Sequence, residues 1–266
     1  MKRKKPRPAT ILAALLLLTG LGVMLFPTAS NWYCQRKFRE ETEAYDRFEG
    51  IDCDEMWSAA RSYNQDLAAR GDLLTLDEGE EAARTAGLLD PWGTGMMGYL
   101  DIPKIDVHIP IYQGTEESAI QAGAGHWQGT SLPVGGPDSH CVLIGHNGLV
   151  KAKMFTDLDQ LAEGDRFSLS VLDRVLTYEV DRITVTDPTD LTPMAIVEGE
   201  DYVTLYTCTP YGINTHRLLV RGHRVEESGQ ATEQDEKPVG QPGWVWLALA
   251  VPLVLLPPGL LFLRKR

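Results

Sequence analysis

Two uncharged apolar runs, one near each end of the chain, set the frame within which the rest must fold. Residues 10–26 read TILAALLLLTGLGVMLF and residues 244–262 read WVWLALAVPLVLLPPGLLF. Each is close to the ~20 residues that carry a helix across a bilayer core. Lys2, Arg3, Lys4, Lys5 and Arg7 precede the first run, and Arg264, Lys265 and Arg266 follow the second. Basic flanks stay on the cytoplasmic side. The expected order is therefore a basic cytoplasmic tail (1–9), a membrane helix (10–27), an exterior segment, a second membrane helix (244–263) and a basic cytoplasmic tail (264–266). The chain is then a two-pass protein of the cell membrane with both termini inside. The alternative for the first run is a signal peptide cut at the weak site Ala29-Ser30. Pro257-Pro258 would kink the second helix, which membrane helices tolerate.

The charge balance narrows the partners. The whole chain carries −12, and setting aside the basic flanks leaves about −20 on the rest. Phosphate backbones are repelled by such a surface, so a nucleic-acid partner is excluded. A cationic or amine-bearing partner suits it better. The four cysteines, Cys34, Cys53, Cys141 and Cys208, are too few for a disulfide scaffold in a domain this size. A pairing of Cys34 with Cys53 is open. Cys141, between His140 and Val142-Leu143, reads as a small buried core residue. A thiol kept free outside the cell needs a reason.

Between the apolar runs the composition changes once. Residues 28–85 are helical in pattern, rich in Glu, Arg, Ala and Gln, with Gly50 and Gly71 as stops; two helices joined near Gly50-Ile51-Asp52 and a short third at 78–86 are expected. Residues 86–97 are irregular. From residue 98 to 225, short alternating runs are broken by Gly, Pro and Asp, with candidate strands at 98–102, 107–112, 141–144, 167–171, 175–185, 202–207 and 217–220 and a helical turn at 154–161. This spacing predicts an all-β barrel or sandwich. Residues 226–243 read as an acidic, polar stalk.

The chemistry concentrates in TLYTCTPYGINTHRLLVRG, residues 204–222. A strand leads into Cys208, Thr209-Pro210-Tyr211-Gly212 breaks it, and a second strand resumes near His216. Antiparallel pairing across that loop brings Cys208 opposite Arg217. Arg221 lies about 13 Å further along the strand. An arginine beside a cysteine stabilises its thiolate and donates to the oxyanion formed when an acyl group is attacked. The remaining need is a proton donor for a leaving amine, usually histidine. Of six histidines, His146 in the loop IGHNGL follows an apolar strand and is exposed by Gly145 and Gly148. His140 and His216 alternate away from Cys141 and Arg217, and His108, His126 and His223 have no nucleophile near them in sequence. On residue chemistry alone, a catalytic Cys208-His146-Arg217 set and a buried structural cysteine at a strand end both stay open. A zinc site of Cys208, His146 and His216 is weaker, because no short ligand spacing supports it.

These residues are similar to the signature of the sortases, particularly class C, the pilus-assembling type. The family's TLxTC with a following arginine matches Thr204, Leu205, Thr207, Cys208 and Arg217, and its TGHRG resembles Ile144-Gly145-His146-Asn147-Gly148. Residues 98–115 (GYLDIPKIDVHIPIYQGT) and 129–136 (GTSLPVGG) also match. Asn147 stands where Arg is common, and Ile144 where Thr or Ser is usual. The resemblance implies a mainly β fold: a closed eight-stranded barrel behind an N-terminal helical region, flanked by two membrane helices. It implies a Gram-positive cell-surface enzyme that cleaves an LPxTG-like sorting signal between Thr and Gly through a Cys208 thioacyl intermediate. The acceptor would be an amine, a pilin lysine or a cell-wall precursor, and the partners LPxTG-bearing pilins or surface proteins. No cofactor or metal is implied. His146 would be acid and then base, Arg217 would hold substrate and oxyanion, and Thr207 would support the oxyanion. Asp90-Pro91-Trp92 matches the class C lid, with Asp90 paired to Arg217 and Trp92 over Cys208 and His146. The competing readings are a cysteine protease that uses water as acceptor and a membrane-anchored binding module in which Cys208 is dispensable.

Overall fold

In this computed structural model the strands pair in a ring that closes on itself. Residues 8–48, 50–71, 78–149 and 151–226 are described. They fall in the first of two units, Met1–Glu226. The second unit, Glu227–Arg266, lies outside the described residues, and with it the expected second membrane helix and nearly all of the stalk. Eight strands, β1 (Met96–Ile102), β2 (Val107–Gln113), β3 (Ala124–His126), β4 (Ser139–Ile144), β5 (Arg166–Val171), β6 (Arg174–Thr186), β7 (Asp201–Thr209) and β8 (His216–Val225), form a closed barrel. The order around it is β1-β2-β3-β4-β7-β8-β6-β5. Closure leaves no free edge, which decides between the barrel and the sandwich.

Inside, Leu100, Ile109, Ile111, Leu143, Phe167, Leu169, Tyr178, Val203, Leu205 and Val220 are fully or nearly fully buried in one core. Fully burying one such aliphatic or aromatic side chain contributes about 1.5–3 kcal/mol. Cys141 is part of this core, and burial pushes its thiol well up. A second, smaller cluster sits on the outside of the wall, where Val142, Tyr206 and Leu219 meet Met194.

Three helices precede the barrel: α1 (Pro8–Tyr45), α2 (Cys53–Arg70) and α3 (Glu78–Thr85). The apolar run and the start of the helical segment after it belong to one continuous 38-residue helix, with Pro27 inside it. Among the described residues, α1 is the one helix long and apolar enough to cross a membrane. Its last turns dock on the barrel. Tyr45 Oη donates to Met97 O (2.8 Å) and accepts from Leu172 N (2.9 Å). Thr42 Oγ1 meets His108 Nε2 at 2.8 Å, and His108 Nδ1 lies against Asp101. α2 begins on an Asp52 cap that accepts from Glu55 N and ends at Gly71, whose positive φ of 68° suits glycine. α3 is tied to α2 by Glu81, a buried carboxylate bonded to Tyr63 and Arg70. A fourth helix, α4 (Glu117–Ala122), carries β2 across to its parallel neighbour β3. All four cysteines are free thiols.

Candidate active site

The site grows from register. β7 and β8 pair antiparallel with Cys208 directly opposite Arg217, Tyr206 opposite Leu219 and Thr204 opposite Arg221. Alternation sends Val203, Leu205 and Thr207 into the barrel and Thr204, Tyr206 and Cys208 to its outer wall. Cys208 is therefore partly exposed at the end of a strand, beside the outer apolar cluster. The connecting loop turns at Pro210 after a cis Thr209-Pro210 bond. It leaves Tyr211 and Ile213 exposed.

Arg217 Nη1 donates to Asn214 O and His216 O, both at 3.0 Å, so one arm of the guanidinium is fixed by its own loop. Arg217 also bonds the Tyr206 hydroxyl; burial pushes that phenol up and the arginine draws it partly back. Arg221 is spent elsewhere: Nε and Nη2 pair with the two Asp181 oxygens, and the guanidinium lies 3.9 Å from the Tyr202 ring centroid.

β4 runs parallel to β7, Ile144 level with Tyr206, so the segment that follows β4 arrives beside Cys208. Three hydrogen bonds then bracket His146. Gly145 N donates to Tyr206 O (3.1 Å), Thr207 Oγ1 donates to Gly145 O (2.7 Å), and Asn147 Nδ2 donates to Cys208 O (2.7 Å). Gly145 is required by space: a Cβ there would come 2.5 Å from the Phe155 ring. The His146 carbonyl accepts from Phe155 N at 3.1 Å. His146 Nε2 is screened from solvent without a hydrogen-bond partner; the nearest acidic oxygen, Glu117 Oε1, is 4.0 Å away. A buried ring nitrogen left unpaired is suited to exchange a proton with a bound substrate.

Two expectations are corrected by these contacts. The Thr207 hydroxyl is buried on the barrel side and bonded to Gly145 O, so it holds the histidine loop instead of pointing at an oxyanion beside Cys208. Asp90 does not pair with Arg217. Its oxygens accept from Thr94 N (2.9 Å) and Gly95 N (2.8 Å), closing the turn that Pro91 enters. Trp92 Nε1 donates to Tyr45 O at 3.2 Å, and its ring lines a cleft of about 500 Å³ with Glu41, Ala44, Tyr45, Met96 and Tyr112. The zinc set is not assembled. His216 alternates to the face opposite Arg217 and meets Thr215 Oγ1, and no cluster of three metal-ligating side chains occurs among the described residues.

Sequence reasoning treated Asn147 as a departure from the family pattern, yet it bonds the main chain of Cys208. It missed Glu117, because α4 is too short to show a helical period. It set His140 aside as unable to pair with Cys141. In the structure His140 is buried under the segment that joins β6 to β7, with both ring nitrogens bonded.

Comparison with known proteins agrees with this architecture. Residues 100–225 match the model of the sortase domain. Sortase C1 from Streptococcus agalactiae is 41% identical; the alignment covers 72% of this chain and 98% of that structure, with a TM-score of 0.67. Sortase C from Streptococcus pneumoniae is 43% identical over 72% of this chain and 95% of that structure, with a TM-score of 0.60. Among curated relatives, sortase SrtE1 of Streptomyces coelicolor is 25% identical over 85% of this chain, which spans 61% of that protein's length. With a matched domain, a shared barrel and identity above 40% across nearly the whole of solved sortases, the chain belongs to the sortase family of cysteine transpeptidases.

Proposed function

We propose that the chain is a membrane-anchored cysteine transpeptidase of the class C type, which cleaves an LPxTG-like signal between Thr and Gly and passes the acyl group to a pilin lysine. The observation that carries this is the register of Cys208 against Arg217, with the His146 loop bonded to the carbonyl of Cys208 itself. The class assignment draws support from identities of 41% and 43% to solved C-type sortases, against 25% to SrtE1. Residues 244–263 act as a second anchor in this reading, supported by their uncharged apolar run and by basic flanks of the kind that stay on the cytoplasmic side.

The steps follow from the residues. The Cys208 thiolate attacks the threonine carbonyl carbon, and the carbonyl π electrons move to oxygen, where Arg217 donates hydrogen bonds. The tetrahedral centre collapses, the C–N bond breaks, and His146 gives its proton to the departing glycine amine. A thioester on Cys208 remains. A neutral lysine amine attacks it, His146 takes the amine proton, and the thiolate leaves as an isopeptide bond forms. Thr207 and Asn147 act as positioning residues for the histidine loop. Asp90-Pro91-Trp92 serves as a lid that reaches the site from its seat on α1, a role supported by the match to the class C motif and by the exposure of Trp92.

Incubation of the chain with an LPxTG peptide and a lysine-bearing acceptor tests the reading. Peptide joined to the lysine, lost in Cys208→Ala, is expected. Cleavage with water alone as acceptor would make the chain a protease. No turnover across a panel of related peptides would leave a binding module.

A further inference from the structure

Two polar atoms beside Cys208, His146 Nε2 and Asn147 Oδ1, are buried without a hydrogen-bond partner among the described residues. The steps given above use the first and leave the second idle. The Asn147 amide is oriented by its other end. Cys208 O only accepts, so the atom 2.7 Å from it is the donor Nδ2, and Oδ1 is left as an acceptor with no donor. Such an oxygen carries a desolvation penalty that a bound donor would remove. Asn147 stands where arginine is common in the sequences this loop resembles, so this chain places an acceptor beside its nucleophile in place of a cation.

Glu117 brings a carboxylate to the same place. It lies in the first turn of α4, and its Oε1 stands 4.0 Å from His146 Nε2, too far for a hydrogen bond, on a side chain that is 68% exposed. Gln121 Nε2, one turn further on, donates to this oxygen, and Gln121 Oε1 accepts from Lys151 Nζ at 2.9 Å. The order of strands separates the charges around Cys208. β8 brings Arg217 to one side of β7, and β4 leads into the His146-Asn147 loop on the other. The cation therefore faces the developing oxyanion, while the unpaired oxygen and the carboxylate lie on the opposite flank. A ligand for that flank must donate hydrogen bonds, carry positive charge and be slender enough to reach His146. A primary ammonium meets all three needs.

We propose that Glu117 and Asn147 Oδ1 form the seat of the acceptor amine: Glu117 draws the lysine ammonium to the β4 flank of Cys208, and Asn147 Oδ1 accepts one of its N–H bonds beside His146. This rests on the acyl-transfer reading given above and adds no covalent step to it. The seated ammonium loses one proton to water, the neutral amine attacks the thioester carbon, His146 takes the second proton, and the thiolate leaves. Glu117 meets the amine and not the thioester, so its charge acts on capture of the acceptor.

The test uses the full chain in detergent micelles, saturated with an LPxTG peptide as acyl donor. Wild type and Glu117→Gln are compared with two nucleophiles. One is a peptide with a single free lysine amine; the other is hydroxylamine, which is uncharged near neutrality and gives a hydroxamate. The substitution keeps an oxygen for Gln121 Nε2 and removes only the charge. KM for the lysine peptide should rise about fivefold, the size expected of a largely exposed charge, with kcat nearly unchanged. Added salt should narrow the difference. The rate of hydroxamate formation should match wild type. An unchanged KM for lysine, or an equal loss with hydroxylamine, would overturn the proposal, the second because it would place the effect of Glu117 on His146 instead of on the amine. A wild type that makes no hydroxamate contradicts the acyl-transfer reading itself, and the seat falls with it. A wild type that makes hydroxamate but ignores lysine contradicts the seat alone.

Discussion

At the residue scale, the proposed catalytic set of Cys208, His146 and Arg217 is positioned by small side chains around it. Gly145 is the sharpest case, because the Phe155 ring fills the space where any Cβ would go. Phe155 is fully buried and cannot retreat without disturbing the core. Gly145→Ala should therefore destabilise the fold by about 1–3 kcal/mol, as overpacking typically does. It should also displace His146 and lower kcat well beyond what the stability loss explains. Thermal unfolding together with turnover measured far below the midpoint separates the two effects; a variant with wild-type kcat would show that the histidine loop is not held there. The register of Cys208 against Arg217 was legible because strand alternation and a tight connection follow simple rules, and His146 stood out as a candidate by its flanking glycines. Thr207 was legible only as a family position. Its hydroxyl faces the barrel, and the parity of β7 that sends Cys208 outward also sends Thr207 inward.

At the scale of elements, seven strands could be placed from alternation and turn residues. β3 could not, being three residues of Ala, Gly and His with no period to detect. β8 runs past its expected end at residue 220 to Val225, because Gly222 lets the strand pass against Phe167 and Tyr178, where a Cβ would meet ring carbon at 2.7 Å. The apolar run and the helical segment after it form one helix: Pro27 removes one hydrogen bond, and the long helix continues around it. Residues 86–97 are where sequence and contacts diverge most. Their aspartate spends both oxygens on its own turn, and their tryptophan is fastened to α1. Asp90→Ala frees Thr94 N and Gly95 N and loosens that turn. If residues 86–97 act as a lid, Cys208 should then be alkylated faster by a small reagent. An unchanged rate would assign the segment to packing against α1.

At the scale of the whole molecule, two buried neutral histidines tie stability to pH. Burial holds His126 and His140 at about 4, against an ordinary value of 6.5. Between those values the unfolded chain binds protons that the folded protein refuses, so stability is fully present above pH 6.5 and is lost as pH falls toward 4. Each unit of difference corresponds to ~1.4 kcal/mol per ring. Asp201 and Asp46, both pushed up by burial, act in the opposite sense. The denaturation midpoint should fall between pH 6.5 and 4.5, and His140→Asn should flatten that fall by about half; an identical slope in the variant would contradict it. The strongly acidic segment between the flanks is compatible with an amine-bearing acceptor, and long-range charge of this kind acts on encounter more than on the fold.

The central claim is that Cys208 carries the acyl group, and intact-mass spectrometry of the protein after brief exposure to an LPxTG peptide tests it most directly. Trp92→Ala is used alongside wild type so that a closed lid does not hide the reaction. The account predicts a mass increase equal to the acyl fragment ending in threonine, absent in Cys208→Ala and removed when a lysine acceptor is added. Glycine-side product released with no adduct in either protein, or an adduct that persists in Cys208→Ala, would contradict it.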